Sequence, residues 1–192
     1  GGADWSKYTH LILVDGNYNS IKDPLVKRIA LWVNEGGTII GLKRGALWAD
    51  KKVLNYPRLD KEETKMSQDG RLDYDVKAIT EAEKVVGGAI YASDLDISHP
   101  MAFGYLSRDL ASHKNSKIIF DIPKNPWGSV AKYTDAPLLT GYSSEENQKS
   151  FAGTPMMIAE RKGQGSVIMF ADNVNFRAIW YGTNKLFLNG LF

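Results

Sequence analysis

The chain has 192 residues, 43% of them hydrophobic, which is enough for one domain with a substantial core. Its 24 Lys and Arg residues nearly balance its 22 Asp and Glu residues, and a net charge of +2 is too small to indicate a nucleic-acid partner. Cysteine is absent, which excludes disulfides, thiolate zinc sites and a cysteine nucleophile. No apolar run approaches the ~20 residues that cross a bilayer, so we expect no membrane span.

The first forty residues predict a βαβ unit. Residues 10–14 are a short apolar run ended by Asp15 and Gly16, a pattern typical of a buried parallel strand. Asp23 followed by proline predicts the start of a helix, and the glycines at 36–37 predict its end. A second strand is predicted at 38–41. Such a unit favours a parallel sheet with a right-handed crossover.

The remaining pattern completes the predicted fold. The polar stretch at about 50–75 predicts a solvated insertion, with a binding surface as the alternative. Helices are predicted at 75–86 and 183–192, and strands at 88–92 and 117–121. Residues 155–160 and 166–171 flank a glycine-rich turn and predict a hairpin. We therefore predict one domain over 1–192, a flavodoxin-like three-layer α/β sandwich with a mostly parallel central sheet and a late antiparallel hairpin.

The turn after the second predicted strand has the G-x-x-x-G pattern of a nucleophile elbow, from Gly41 to Gly45. Lys43 occupies the centre, where an acyl-transfer enzyme places Ser or Cys, and a protonated lysine is a poor acyl acceptor. Lys43 and Arg44 also lie where backbone N–H groups converge, which favours a bound carboxylate or phosphate. The alternative is that both cations are solvated or pair with a neighbouring carboxylate.

The histidines do not indicate a metal site. His10, His99 and His113 show no H-x-x-E or H-E-x-x-H spacing, so no metal is predicted. His99 and Pro100 predict a structural turn. His113 lies in the polar run 112–115, which predicts a surface turn.

The segment after the last predicted strand carries the remaining candidate site residues. Asp172, Asn173, Arg177 and Tyr181 are the polar groups expected along any ligand groove near the elbow. The apolar residues between them, such as Phe176 and Ile179, favour packing of this segment as the alternative.

Two family resemblances follow from these motifs. Asp15-Gly16, Gly36-Gly37 and the Gly41-to-Gly45 elbow resemble class I glutamine amidotransferases, whose elbow cysteine is replaced here by Lys43. The stretch 176–189, with 99–105 and 137–142, resembles the C-terminal domain of large bacterial zinc carboxypeptidases of the carboxypeptidase A-like family. This resemblance implies a fragment of a periplasmic or secreted protein. The upstream peptidase domain of the same polypeptide would be its partner and would hold the zinc, so no cofactor is expected in this chain.

Three functions remain open from the sequence. The first is a non-catalytic accessory domain of a zinc carboxypeptidase-like protein. The second is a module that binds a small molecule, a peptide, an anion or a glycan, with Trp48, Trp180 and Tyr181 as stacking surfaces. The third is a hydrolase that uses a serine or an aspartate in place of the missing cysteine, although Ser98, Ser107 and Ser129 all lie outside an elbow motif.

Overall fold

The computed structural model describes residues 4–55, 74, 77–83 and 85–192, and the polar insertion predicted at about 50–75 lies largely outside them. Within these residues one sheet contains the strands β1 (His10–Leu13), β2 (Thr38–Leu42), β3 (Ala89–Leu95), β4 (Asp109–Lys114), β5 (Ser129–Thr140), β6 (Pro155–Lys162) and β7 (Gly165–Phe170). The helices are α1 (Asp23–Asn34), α2 (Arg44–Ala49), α3 (Lys77–Glu83), α4 (Glu145–Phe151) and α5 (Tyr181–Asn189), and a π-helical turn, Asp50–Leu54, follows α2. None of these helices combines the length and apolar character that crossing a bilayer requires.

The sheet is mixed, and its strand order is β1-β2-β7-β6-β5-β3-β4. Only β1–β2 and β2–β7 pair in parallel, whereas the other four pairs are antiparallel. The prediction of a flavodoxin-like, amidotransferase-like sandwich with a mostly parallel sheet is therefore wrong. The parallel βαβ unit at the start of the chain is real, but it supplies only one edge of the sheet.

Some local predictions are confirmed, and two are wrong, one at an apolar run and one at a polar strand. The βαβ unit and the β6–β7 hairpin are both present. No strand forms at 117–121. The run around His113 is not a surface turn, because it forms the end of β4, where Ser112 and Lys114 are buried.

Helices cover both faces of the parallel part of the sheet. Val33 of α1 packs in a core cluster with Ile39 of β2, and Leu186 of α5 packs in the opposite cluster with Phe170 of β7. The chain leaves β2 towards the α1 face and leaves β7 towards the α5 face. Such a divergence between adjacent parallel strands opens a crevice at their carboxyl ends, where ligands bind in open α/β sheets.

The antiparallel part of the sheet curls back towards this crevice. β4 lies four positions from β7 in the strand order, which is roughly 19 Å in a flat sheet at the usual spacing of about 4.8 Å. Nevertheless Lys114 at the end of β4 and Asp172 just after β7 form an ion pair of 3.2 Å. The curl therefore brings the end of β4 close to the carboxyl ends of β2 and β7.

Candidate functional site

The turn between β2 and α2 holds Lys43 in a strained backbone conformation, with φ 52° and ψ −117°. Its N–H donates to the carbonyl of Phe170 at 2.8 Å, which ties the turn to β7. Both flanking positions require glycine, because neighbouring backbone atoms leave no room for a Cβ. A Cβ on Gly41 would lie 2.6 Å from Ala46 Cα, and one on Gly45 would lie 2.4 Å from the Leu13 carbonyl oxygen. The turn thus projects the Lys43 side chain from the carboxyl edge of the sheet.

Asp15, which follows β1, pairs with both cations of the turn. Its Oδ2 lies 2.9 Å from Lys43 Nζ, and its Oδ1 lies 2.6 Å from Arg44 Nε. Burial alone would raise the pKa of Asp15, but the hydrogen bonds from Arg44 and Lys43 outweigh it and hold that pKa below its ordinary value. Pairing with a neighbouring carboxylate was the alternative to anion binding that the sequence left open.

A cavity of about 410 Å³ lies beside this ion pair, and we call it the Lys43 cleft. Its polar lining is Asp15, Lys43, Asn173 and Asn175, and its apolar lining is Ile12, Val14, Leu42 and Phe187. This volume lies in the range of small-molecule sites, which are typically apolar with a few convergent polar groups. Arg44 faces a neighbouring cavity of about 580 Å³ that is also lined by Tyr18, Trp48, Lys51 and Lys52.

The polar groups of the Lys43 cleft retain hydrogen-bonding capacity. Among the described residues Lys43 Nζ donates to Asp15 and, at 3.1 Å, to Asn115 Oδ1, so one of its three N–H groups remains available. Asn173 Oδ1 accepts from the Asn175 N–H at 3.1 Å, which turns the chain across the cleft. Asn175 Oδ1 is buried and has no hydrogen-bond partner in the described part of the chain.

A buried polar network supports the cleft from behind. Asp172 accepts hydrogen bonds from Lys114 at 3.2 Å, Tyr133 at 2.7 Å and Ser112 at 3.0 Å. Lys114 also donates to Tyr133 and to the Ile118 carbonyl, and its ammonium lies over the Phe151 ring at 4.4 Å. Burial lowers the pKa of Lys114, against the opposing effect of Asp172, and burial raises the pKa of Tyr133 well above its ordinary value.

This network had no counterpart among the sequence predictions, apart from Asp172 itself. Lys114, Tyr133 and Ser112 come from strands whose pairing the sequence pattern did not reveal. Because all of its oxygens are engaged in this network, Asp172 acts here as an internal partner rather than as a ligand-facing group. Its neighbour in the chain, Asn173, is the residue that reaches the cleft.

Arg177 belongs to a stack of side chains rather than to the cleft lining. Its guanidinium lies over the Phe176 ring at 5.2 Å, and that ring stacks on His113 with centroids 3.7 Å apart. Burial lowers the pKa of His113, although the Asp172 carboxylate opposes this effect. Arg177 and Ala178 both have positive φ, at 51° and 54°, so the segment bends sharply at this point.

The other predicted residues lie elsewhere. Tyr181 is exposed at the start of α5, where it lines a separate cavity with Tyr105 and Trp180. His99 caps the short 3-10 helix Pro100–Ala102 by accepting the Met101 N–H at 3.1 Å. The structure therefore groups Lys43 with Asn173, places Arg44 beside them, and separates Tyr181 from this site.

Neither metal binding nor a serine–histidine pair is evident in the described part of the chain. No group of three or more His, Cys, Asp or Glu side chains there could hold a metal ion. The hydroxyls of Ser98 and Ser107 donate to carboxylates two residues away, at 2.6 and 3.0 Å. Neither of these serines lines the Lys43 cleft.

Comparison with known proteins bears on the fold alone. No protein-family model matches the sequence, and no curated protein matches it. Among solved structures, a ThuA-like protein from Parabacteroides merdae superposes with a TM-score of 0.57 at 17% identity, covering 98% of this chain and 70% of that one. A cytoplasmic protein from Salmonella typhimurium gives a TM-score of 0.49 at 12% identity, covering 96% of this chain and 71% of that one.

A β-galactosidase from Bacillus circulans gives a TM-score of 0.43 at 16% identity, covering 99% of this chain but only 22% of the enzyme. At 17% identity the similarity to the ThuA-like structure extends to the fold and not to activity. The ThuA-like structure thus supports the mixed sheet in place of the flavodoxin-like sandwich.

Proposed function

We propose that this chain is a non-catalytic module that binds a small polar molecule in the Lys43 cleft. The observation that carries the proposal is the position of Lys43, a strained residue at the point where adjacent parallel strands β2 and β7 send their chains to opposite faces. Backbone strain of this kind costs about 1–3 kcal/mol and is concentrated at functional sites. Here it places the side chain against a cavity of ligand size.

The chemistry of Lys43 favours binding over catalysis. A nucleophilic amine needs a free electron pair, but the Lys43 side chain is engaged as a hydrogen-bond donor to Asp15 and Asn115. The elbow geometry of an acyl-transfer enzyme is thus combined with a side chain that pairs with a carboxylate at 2.9 Å and acts as a hydrogen-bond donor.

A ligand screen with a site-specific readout tests the proposal. We would record amide NMR spectra of the isotopically labelled chain with millimolar neutral, anionic, cationic and zwitterionic small molecules. The expected result is that at least one class shifts the resonances of Lys43, Asn173 and Asn175 together and saturably. Binding should also raise thermal stability by mass action. Failure of every class to shift these resonances would refute the proposal.

The non-catalytic part of the proposal needs a separate assay. We expect no glutaminase and no peptidase turnover from the isolated chain. Hydrolysis that disappears on a point substitution within this chain would contradict that expectation. If the unsubstituted chain shows no hydrolysis, the NMR screen alone decides the binding proposal.

The carboxypeptidase A-like parent stays a prediction from the sequence resemblance. If it is correct, the module serves a peptidase domain of the same polypeptide, by positioning it, stabilising it or bringing it to its substrate. The coding sequence that precedes Gly1 decides the matter. An H-x-x-E motif followed by a later histidine supports the prediction, and an unrelated sequence removes it.

A further inference from the structure

We infer that the ligand of the Lys43 cleft is an uncharged molecule with neighbouring hydroxyl groups, that is, a sugar or a cyclic polyol. This inference rests on the proposed function and specifies the ligand class for the same site. It departs from the carboxylate or phosphate that the two cations of the elbow first suggest. The reasons are the charge balance of the cleft and the kind of hydrogen bonds that its lining still offers.

The charges that line the cleft cancel. Lys43 contributes one positive charge and Asp15 one negative charge, and no other residue in the lining is ionised. Arg44 is engaged with the other oxygen of Asp15 and faces the neighbouring cavity. The next charged pair, Lys114 with Asp172, is buried and also sums to zero. The residues that line the cleft therefore sum to zero charge, whereas the cluster of Asp15, Lys43 and Arg44 sums to +1, with Arg44 in the lining of the neighbouring cavity.

An ionic ligand would have to break the existing ion pair. An anion that contacts Lys43 closely would either replace Asp15 Oδ2 at 2.9 Å or lie beside that carboxylate and be repelled by it. A cation that contacts Asp15 would meet the same difficulty with Lys43. A hydroxyl avoids both, because it can accept from the remaining Lys43 N–H while the ion pair stays intact.

The lining of the cleft offers both hydrogen-bond donors and hydrogen-bond acceptors. Lys43 offers a donor, and the Asn173 amide offers donors because within the described part of the chain only its oxygen is used, by the Asn175 N–H. The remaining lone pairs of Asp15 offer acceptors. Asn175 also lines the cleft, and its buried Oδ1 has no hydrogen-bond partner among the described residues. A hydroxyl donates and accepts through a single atom. Neighbouring hydroxyls on a ring can satisfy these mixed groups together.

The apolar lining fits the C–H surface of such a ring. Ile12 on the edge strand β1 is 44% exposed, Val14 just after that strand is 58% exposed, and Phe187 of α5 lines the same cleft. Covering these side chains adds hydrophobic contact to the polar recognition. A highly charged ligand such as a phosphate would gain nothing from this side of the cleft.

A charge-matched series tests the inference. D-glucose is neutral, glucuronate carries a carboxylate in place of its primary alcohol, and glucosamine carries an ammonium in place of one hydroxyl. Together with myo-inositol, they are titrated against the labelled chain by NMR. We expect glucose or myo-inositol to shift Lys43, Asn173 and Asn175, and its charged counterparts to bind at least about tenfold more weakly.

The Asn175→Ala variant separates binding from folding. Because Asn175 Oδ1 has no partner in the described residues, its removal should leave stability unchanged or higher, while affinity for the neutral probe falls about tenfold. Asn34→Ala, at the exposed end of α1, is the matched control and should change neither quantity. Loss of stability in Asn175→Ala would show that the amide has a structural partner and would overturn the argument.

The outcomes distinguish the inference from the proposed function. If glucuronate, glucosamine or a zwitterion binds the same residues more tightly than either neutral probe, the inference is wrong and the binding function stands. If neutral, charged and zwitterionic compounds all fail to shift these residues, both are wrong. Tighter binding of a neutral polyol, lost in Asn175→Ala, supports both.

Discussion

The strain at Lys43 can be measured by comparing two substitutions at that position. Lys43→Ala and Lys43→Gly both remove the contacts to Asp15 and Asn115, so the difference between them isolates the backbone. At φ 52° and ψ −117° a residue with a Cβ is strained by about 1–3 kcal/mol, whereas glycine is not. Glycine loses about 0.5–1 kcal/mol to its greater freedom in the unfolded chain. The Gly variant should therefore be more stable than the Ala variant, by roughly 0.5–2 kcal/mol.

Urea denaturation followed by circular dichroism measures this difference, provided that both variants unfold with the same m-value. A thermal melt is an independent check, because 1 kcal/mol corresponds to roughly 2–4 °C in a domain of this size. The same pair of substitutions at Lys27, exposed within α1, is the control and should give the opposite order, with Ala more stable by about 1 kcal/mol. An Ala variant at position 43 as stable as the Gly variant would refute the reasoning.

Three further predictions concern the network, the pH dependence and the turn. Lys114→Met should lower the free energy of unfolding, measured in urea, by about 3–5 kcal/mol because it leaves the buried Asp172 carboxylate without its ion-pair partner. The double variant Lys114→Met with Asp172→Leu should recover much of that loss, and a double variant as unstable as the single one would contradict this reasoning. Burial lowers the pKa of His99 below its unfolded value, so the unfolded chain takes up more protons and stability should fall from pH 7 to pH 5. His99→Asn keeps a capping acceptor without titrating and should flatten this dependence, whereas an unchanged slope would assign it to other groups. Gly45→Ala should cost about 1–3 kcal/mol by thermal melt because its Cβ meets backbone oxygen, while Gly87→Ala, with open space around it, should not.

The sequence predicts the parallel edge of the sheet because its signals there are local. The βαβ unit of β1, α1 and β2 has an apolar run, a proline at the helix start and glycines at its end, all within about thirty residues. The hairpin of β6 and β7 has its turn glycines. The antiparallel part lacked such signals. β4 has the sequence DLASHK, whose polar residues suggested a turn.

Long-range pairing explains why β4 can be polar and buried at once. Lys114 is completely buried because Asp172, 58 residues later in the chain, neutralises it. No local sequence pattern indicates that these two residues pair. Local sequence patterns assign polar residues such as these to the surface. The strand that contains them is then missed, and the strand order of the sheet cannot be predicted. The mostly parallel sheet was predicted because the βαβ unit at the start of the chain gave the clear local signal for strand pairing.

The candidate site was predictable only where its features are local in the sequence. The G-x-x-x-G spacing locates Lys43 and the tight turn, because the glycines are a local requirement of that geometry. The identity of its partners is not local, since Asp15 and Asn115 lie on other loops. Tyr181 was grouped with the elbow by proximity in sequence to Asp172, but the sharp bend at Arg177 and Ala178 directs it to another cavity.

The features that cost stability converge on one place. Four non-glycine residues in the described chain have positive φ, and three of them, Lys43, Arg177 and Ala178, lie in the two segments that leave the carboxyl ends of β2 and β7. Between them is Asn175, whose buried oxygen lacks a partner among the described residues. A chain selected for stability alone would place glycine at such φ angles and an apolar residue in place of Asn175. Departures from local rules are expected where a site has a function, and here Lys43 and Asn175 both line the Lys43 cleft, while Arg177 and Ala178 follow Asn175 closely in the chain. The cleft is therefore a better candidate for function than the larger cavity beside Trp48, which combines exposed lysines with no comparable strain in its lining.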